Sequence, residues 1–184
     1  MILIYAYGSG LGHLERVTSF LQQENYPLKK CILLTNSDYS FYWKYNWDII
    51  KKDSSFFSSS DFKPFFYNLI SDKNINEIIV DVFPSGFYGE LTEILSNYRG
   101  IKTLLSRILL PIYFKNNPTS PVFDNIYLME QGIEVSFLKS KKTLTYELKN
   151  DSISDKNDFH LEGSFFIIIH SQPLSEILYL YRLA

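Results

Sequence analysis

The chain has 184 residues, 46% of them hydrophobic, and a formal charge of −2. That length holds one domain with a sizeable core and part of a second. The near-neutral balance, with 21% charged residues, argues against a disordered tail. It also argues against a duplex-DNA binder, which needs a basic excess to neutralise phosphates, so no nucleic-acid partner is expected.

Met1–Tyr7 reads as a short apolar strand that stops at Gly8. The loop Gly8-Ser9-Gly10-Leu11-Gly12 follows. Leu14, Val17, Phe20 and Leu21 then recur at helical spacing to about Glu24. Pro27 holds a turn, and Lys30–Thr35 reads as a second strand with Asn36-Ser37-Asp38 as its exit loop. Cys31 is the single cysteine and is expected inside that strand. No intrachain disulfide can form, which suits a reducing, cytoplasmic setting.

The stretch Tyr39–Ser60 mixes aromatics with KKDSSFFSSSD. It predicts a short strand near Trp47–Lys51 and a polar loop after it. The run SFYWKYNW is either core or a binding surface. Asp61 is placed to cap a helix running to about Ile70. Glu77–Val82 reads as a strand with Asp81 near its carboxyl end, and Gly86–Tyr98 as a helix with Leu91, Ile94 and Leu95 on one face. Ile101–Ser106 and Asn125–Glu130 complete the strands of a first unit, residues 1–138. Residues 139–163 are charged and polar, a candidate linker or exposed hairpin. Residues 164–184 hold a strand, Ser164–His170, and a helix from Pro173 to about Leu183. They either open a second domain or pack back on the first.

No apolar run reaches the roughly 20 residues that span a bilayer, so no transmembrane segment is expected. The first residues lack the basic region of a signal peptide. Strands alternating with helices across short loops predict an α/β fold: a Rossmann-like, three-layer domain with a mainly parallel sheet. The near-continuous apolar strand EIIVDV fits a sheet covered on both faces.

In such a sheet, ligands bind outside the carboxyl ends of the strands. The glycine loop sits there, where a ligand can approach backbone N–H groups at a helix N-terminus. Phosphate, sugar or carboxylate is the natural guest. A dinucleotide fingerprint fails, because the third glycine position holds His13. A phosphate loop of the Gly-Lys-Ser/Thr type fails as well, at Gly12-His13-Leu14. At a helix N-terminus the dipole disfavours the imidazolium, so His13 is a candidate general base acting on a hydroxyl. The competing reading is a ring that only bonds the loop backbone. His13, His160 and His170 lack metal-ligand spacing, and no metal or cofactor is expected.

DVFPSGFYGEL follows the strand EIIV and lies on the same rim of a parallel sheet. Asp81 either faces the cleft or ties down the loop. Pro84 and Gly86 shape a tight turn. Glu90 either faces the cleft or complements the next helix N-terminus.

Two motifs together carry a resemblance. YGSGLGHLERVTSFL resembles the G-x-G-H-x-x-R loop of MurG-like glycosyltransferases, which use two Rossmann-like domains in the GT-B arrangement, and also that of related nucleotide-sugar hydrolases. DVFPSGFYGEL is similar to the D-x-F-P-x-G-x-x-G-E-L loop of a branch of glycosyltransferases. DNIYLMEQ and FIIIHSQPLSEILYLYRLA give weaker matches, the second to the opening of the donor-binding domain. The resemblance implies the N-terminal, acceptor-binding half of a GT-B enzyme that moves a sugar from a nucleotide-diphosphate donor to a hydroxyl. It implies His13 as base and Gly8, Ser9, Gly10, Leu11 and Gly12 as the ligand loop. Arg16 either meets a phosphate or pairs on the helix surface. Asp81, Pro84, Gly86 and Glu90 would shape the acceptor side, with Arg107 on the same rim. The chain would be incomplete without a C-terminal donor domain: it is either truncated or a stand-alone half that works with a second half-enzyme or another copy of the chain. A hydrolase with His13 activating water, and a non-catalytic module binding a sugar or a partner, are the alternatives. Peripheral membrane contact is compatible with the pattern.

Overall fold

The computed structural model describes residues 1–38 and 47–147. Seven strands form one sheet in the order β3-β2-β1-β4-β5-β6-β7. They are β1 (Ile2–Ala6), β2 (Cys31–Thr35), β3 (Asp48–Lys51), β4 (Glu77–Asp81), β5 (Ile101–Ser106), β6 (Val122–Leu128) and β7 (Lys139–Thr145). Every pairing is parallel; β1 lies between β2 and β4, with Ile2 opposite both Cys31 and Glu77. The α-helices are α1 (Leu11–Gln23), α2 (Ser54–Phe57), α3 (Phe62–Asp72), α4 (Thr92–Asn97) and α5 (Pro111–Asn116). The expected α/β, Rossmann-like, three-layer domain is therefore what the chain forms.

Alternation along the strands sorts the core into two layers. Leu3 and Tyr5 of β1 and Ile78 and Val80 of β4 pack with Phe57, Phe62, Phe66, Ile94 and Leu95 of α2, α3 and α4. Ile4 and Ala6 of β1 and Ile79 of β4 face the other way, onto Leu14, Val17, Phe20 and Leu21 of α1. Burying each of these aromatic side chains contributes about 1.5–3 kcal/mol. Asp81 follows Ile79 by two residues and so projects to the α1 side. Cys31 is buried in β2, as expected.

Sheet order reverses at β1. The chain runs out from β1 through β2 to β3, then returns to β4 on β1's other flank. This switch opens a crevice at the carboxyl ends of β1 and β4, where the glycine loop and the loop after Asp81 emerge.

Several expected boundaries move. The helix expected over Gly86–Tyr98 is confined to Thr92–Asn97, because Gly86 (φ 80°) and Gly89 (φ 88°) hold left-handed backbone that no α-helix accepts. Ser54–Phe57, expected in a polar loop, forms a helical turn, and α5 starts with Pro111 at a first-turn position within the apolar run TLLSRILLPIYF. The strand expected at Asn125–Glu130 starts and ends earlier, at Val122–Leu128. Lys139–Thr145, assigned by its charge to a linker or hairpin, is strand β7, paired with β6. It lies at the edge of the sheet, where lysines discourage further pairing, so its composition reads as loop. The rest of that segment, the strand and helix expected at 164–184, and the aromatic run up to Tyr45 and Asn46 lie outside the described residues; Trp47 is buried.

Candidate functional site

The crevice holds a cluster of three charged or polar side chains. Arg16, one turn beyond His13 on α1, donates from Nε to Asp81 Oδ1 (2.7 Å) and from Nη2 to Asp81 Oδ2 (2.8 Å). His13 Nδ1 lies 2.6 Å from Asp81 Oδ2. An ionised carboxylate only accepts, so Nδ1 carries the proton and donates. In the neutral ring Nε2 is then an unprotonated acceptor, and it has no protein partner among the described residues. The Arg16 Nη2 approach to His13 Nδ1, 3.2 Å, is a contact of two donors rather than a bond.

Asp81 is fully buried. Burial alone pushes a carboxyl up, but the hydrogen bonds from His13 and Arg16 and the Arg16 charge outweigh it and hold Asp81 below the usual carboxylate range. Arg16 is itself only 8% exposed. It therefore does not lie on the helix surface: it neutralises Asp81, Asp81 orients the imidazole, and Arg16 still lines the cleft.

The backbone after Asp81 is bent sharply. Val82 has φ 67°, and Phe83 N–H donates to Asp81 C=O at 2.8 Å. That is a γ-turn of the rare positive-φ form, strained for a β-branched residue. It ends β4 at the carboxylate and sends the chain across the crevice. Strain of this kind clusters where function over-determines the backbone.

The glycine loop is fitted to the histidine. A Cβ on Gly8 would lie 2.1 Å from His13 Cδ2 and 2.2 Å from Nε2, so the ring rests directly over the Gly8 backbone. Gly8 N–H donates to Asn36 Oδ1 (2.7 Å), and Asn36 Nδ2 donates to Ser54 Oγ (2.9 Å). Asn36 thus stitches the loop to the end of β2 and the start of α2. Ser9 C=O accepts from Ser37 Oγ at 3.4 Å, and Leu11 is exposed at the first turn of α1. No side chain caps α1 at Gly10. The cleft beside His13 measures about 530 Å³; Ser9, Gly10, Gly12, Arg107 and the aromatics Tyr7, Phe83 and Phe87 also line it. Tyr7 stacks on Phe87 at 4.7 Å, and burial, aided by its bond to Tyr88, pushes the Tyr7 hydroxyl up to about 12.

The other expected residues separate into two groups. Arg107 does reach the cleft. Glu90 does not: it lies on the opposite face of the sheet, where its carboxylate accepts from Tyr5 Oη and from Tyr88 N–H. Burial pushes Glu90 up, and those donors offset part of the shift. Pro84 and Gly86 are buried in the loop rather than lining the cleft. Tyr113 clamps that loop, accepting from Ser85 N–H (3.0 Å) and donating to Gly86 C=O (2.9 Å).

Gly86→Ala is expected to destabilise the fold by about 1–2 kcal/mol for the left-handed backbone. The new Cβ would also sit 2.4 Å from Glu90 Oε2. Thermal unfolding followed by circular dichroism checks this; a fall of roughly 2–8 °C is expected.

Tyr7, Asn36, Phe83 and Phe87 were not singled out from sequence. Asn36 carried a signal as a polar residue directly after a buried strand in a parallel sheet, and Phe83 as the Phe of the D-x-F-P motif. Among the described residues, no group of three or more His, Cys, Asp or Glu side chains is placed to hold a metal ion, and no helix is long and apolar enough to cross a membrane. Comparison of the chain with protein-family models, curated proteins and solved structures found no match.

Proposed function

We propose that this chain is the acceptor side of a glycosyltransferase, with His13 as general base. The acceptor hydroxyl gives its proton to His13 Nε2. Its oxygen bonds to the anomeric carbon of a nucleotide-diphosphate sugar, and the bond from that carbon to the diphosphate breaks. The carrying observation is the bond from His13 Nδ1 to a buried, Arg16-paired Asp81, which leaves Nε2 as the acceptor at a cleft. Asp81 also stabilises the imidazolium formed when the proton arrives.

The resemblance assigns the donor to a second Rossmann-like half. Phe83 and Phe87 also wall a neighbouring apolar groove of about 510 Å³ with Leu109, Leu110, Ile112 and Tyr113. That groove suits an acceptor with an apolar body, including one held at a membrane surface.

The test is release of nucleoside diphosphate from a panel of nucleotide-sugars, with and without a hydroxyl acceptor such as an alkyl glycoside. Acceptor-dependent release is expected, falling about 10²–10⁴-fold in His13→Ala. Equal release of free sugar without acceptor would make the chain a hydrolase. Release unaffected by His13→Ala would contradict the proposal.

A further inference from the structure

On the face of the sheet opposite His13, a second cleft of about 640 Å³ lies between the α2–α3 junction and the start of α4. It shares no lining residue with the His13 cleft. Glu90 lines it and is half-buried. Its carboxylate accepts from Tyr5 Oη and from Tyr88 N–H, both neutral donors. Among the described residues no Lys, Arg or His pairs with it. Lys63, the one cation among the described residues that line this cleft, is paired with Glu93 at 2.6 Å. A carboxylate drawn partly out of water without a counter-ion is unusual, because a desolvated charge is costly unless it is paired.

The serines at the end of α2 add acceptors of their own. Ser58 Oγ donates to Ser55 C=O (3.1 Å), and Ser59 Oγ donates to Phe56 C=O (2.8 Å). A hydroxyl has a single proton, so both oxygens offer a guest only lone pairs. Both serines line the same cleft as Glu90. Three accepting groups, one of them charged, suit a primary ammonium, which carries three N–H donors and no acceptor. Tyr88 also lines the cleft and is half-exposed. Its ring supplies the kind of aromatic surface that attracts a cation.

We propose that the Glu90 cleft binds a primary ammonium group, with Glu90 as the counter-ion and the Ser58 and Ser59 hydroxyls as further acceptors. The amine is carried by a sugar ring or by a linear chain. This goes beyond the transferase reading, because it uses a different cleft and none of the residues around His13.

The test is calorimetric titration of the full chain at neutral pH and fixed ionic strength. Glucosamine and spermidine are the probes; glucose and tetramethylammonium are the controls. Wild type is expected to bind at least one of the probes, and the tighter one tells whether the amine sits on a ring or a chain. Glucose lacks the charge and tetramethylammonium lacks N–H donors, so both should bind about tenfold more weakly or worse. Glu90→Gln removes the counter-ion and should weaken amine binding by about tenfold or more. Glu90 also ties down its own loop, so a second variant guards against misfolding. Ser59→Ala deletes one acceptor and should weaken binding several-fold with little change in melting temperature. No amine binding by wild type, or binding unchanged in both variants, would overturn the inference. Glucose binding as tightly as glucosamine would overturn it in favour of a polyol cleft. His13→Ala should leave amine binding unchanged, so amine binding without any sugar turnover keeps this inference and sinks the transferase reading. Acceptor-dependent turnover without amine binding does the reverse.

Discussion

Asp81→Asn is expected to lower the melting temperature by roughly 6–20 °C, from a loss of about 3–5 kcal/mol. Asp81 is fully buried and Arg16 nearly so. Removing the carboxylate charge leaves the guanidinium in the interior without its counter-ion, which costs far more than loss of an exposed pair. Against a total stability of roughly 5–15 kcal/mol this is a large fraction. The pH dependence follows with a definite sign. The folded Asp81 carboxyl lies below its ordinary value. Its contribution is complete above the unfolded value of about 3.9 and is lost as pH falls through the folded value, because the unfolded chain takes up the proton first. Wild type should therefore lose stability more steeply below about pH 4 than the Asn variant, in which only other lowered carboxyls such as Asp124 remain. Denaturant melts of both proteins across that range check it.

The same substitution reaches the chemistry. An Asn amide that turns its N–H₂ toward His13 Nδ1 favours the tautomer with the proton on Nε2. The base position is then blocked even in the folded fraction.

Gly8→Ala separates the two effects. Its Cβ would overlap the His13 ring, 2.1 Å from Cδ2 and 2.8 Å from Cε1. The ring must swing off Asp81, whereas the Arg16–Asp81 pair stays in place. Turnover is expected to fall about 10²-fold or more, since displacement by an ångström has that consequence for a proton-transfer geometry. Stability should fall by only about 1–2 kcal/mol, the scale of one buried hydrogen bond. Parallel activity assays and thermal melts read the contrast. An Ala variant with full activity would show that the ring's place over Gly8 is irrelevant to function.

Much of this arrangement was legible in the sequence. Periodicity placed β1, α1, β2, β4 and β5 nearly as they occur, because buried strands and an amphipathic helix carry their packing in their composition. The convergence of His13 and Asp81 followed from topology alone, since parallel strands deliver their exit loops to one rim. Arg16 was hidden. From sequence it is a charged residue on a helix, and only the register of α1 against β4 turns it inward onto Asp81. Glu90 misled for a related reason. Its place depends on the turns at Gly86 and Gly89, which rotate it to the other face of the sheet onto Tyr5. β7 was missed because an edge strand needs charge where an inner strand needs apolar side chains. Asn36 joins Gly8 to Ser54, segments far apart in the chain, so its place after a buried strand was legible but its partners were not.

The central claim concerns one proton: that His13 carries it on Nδ1, toward Asp81, and leaves Nε2 bare at the cleft. Long-range ¹H–¹⁵N correlation NMR of the ¹⁵N-labelled full chain, at a pH where the ring is neutral, reads this directly. The account predicts a protonated, pyrrole-like Nδ1 and an unprotonated, pyridine-like Nε2. A protonated Nε2 with a bare Nδ1 would contradict it.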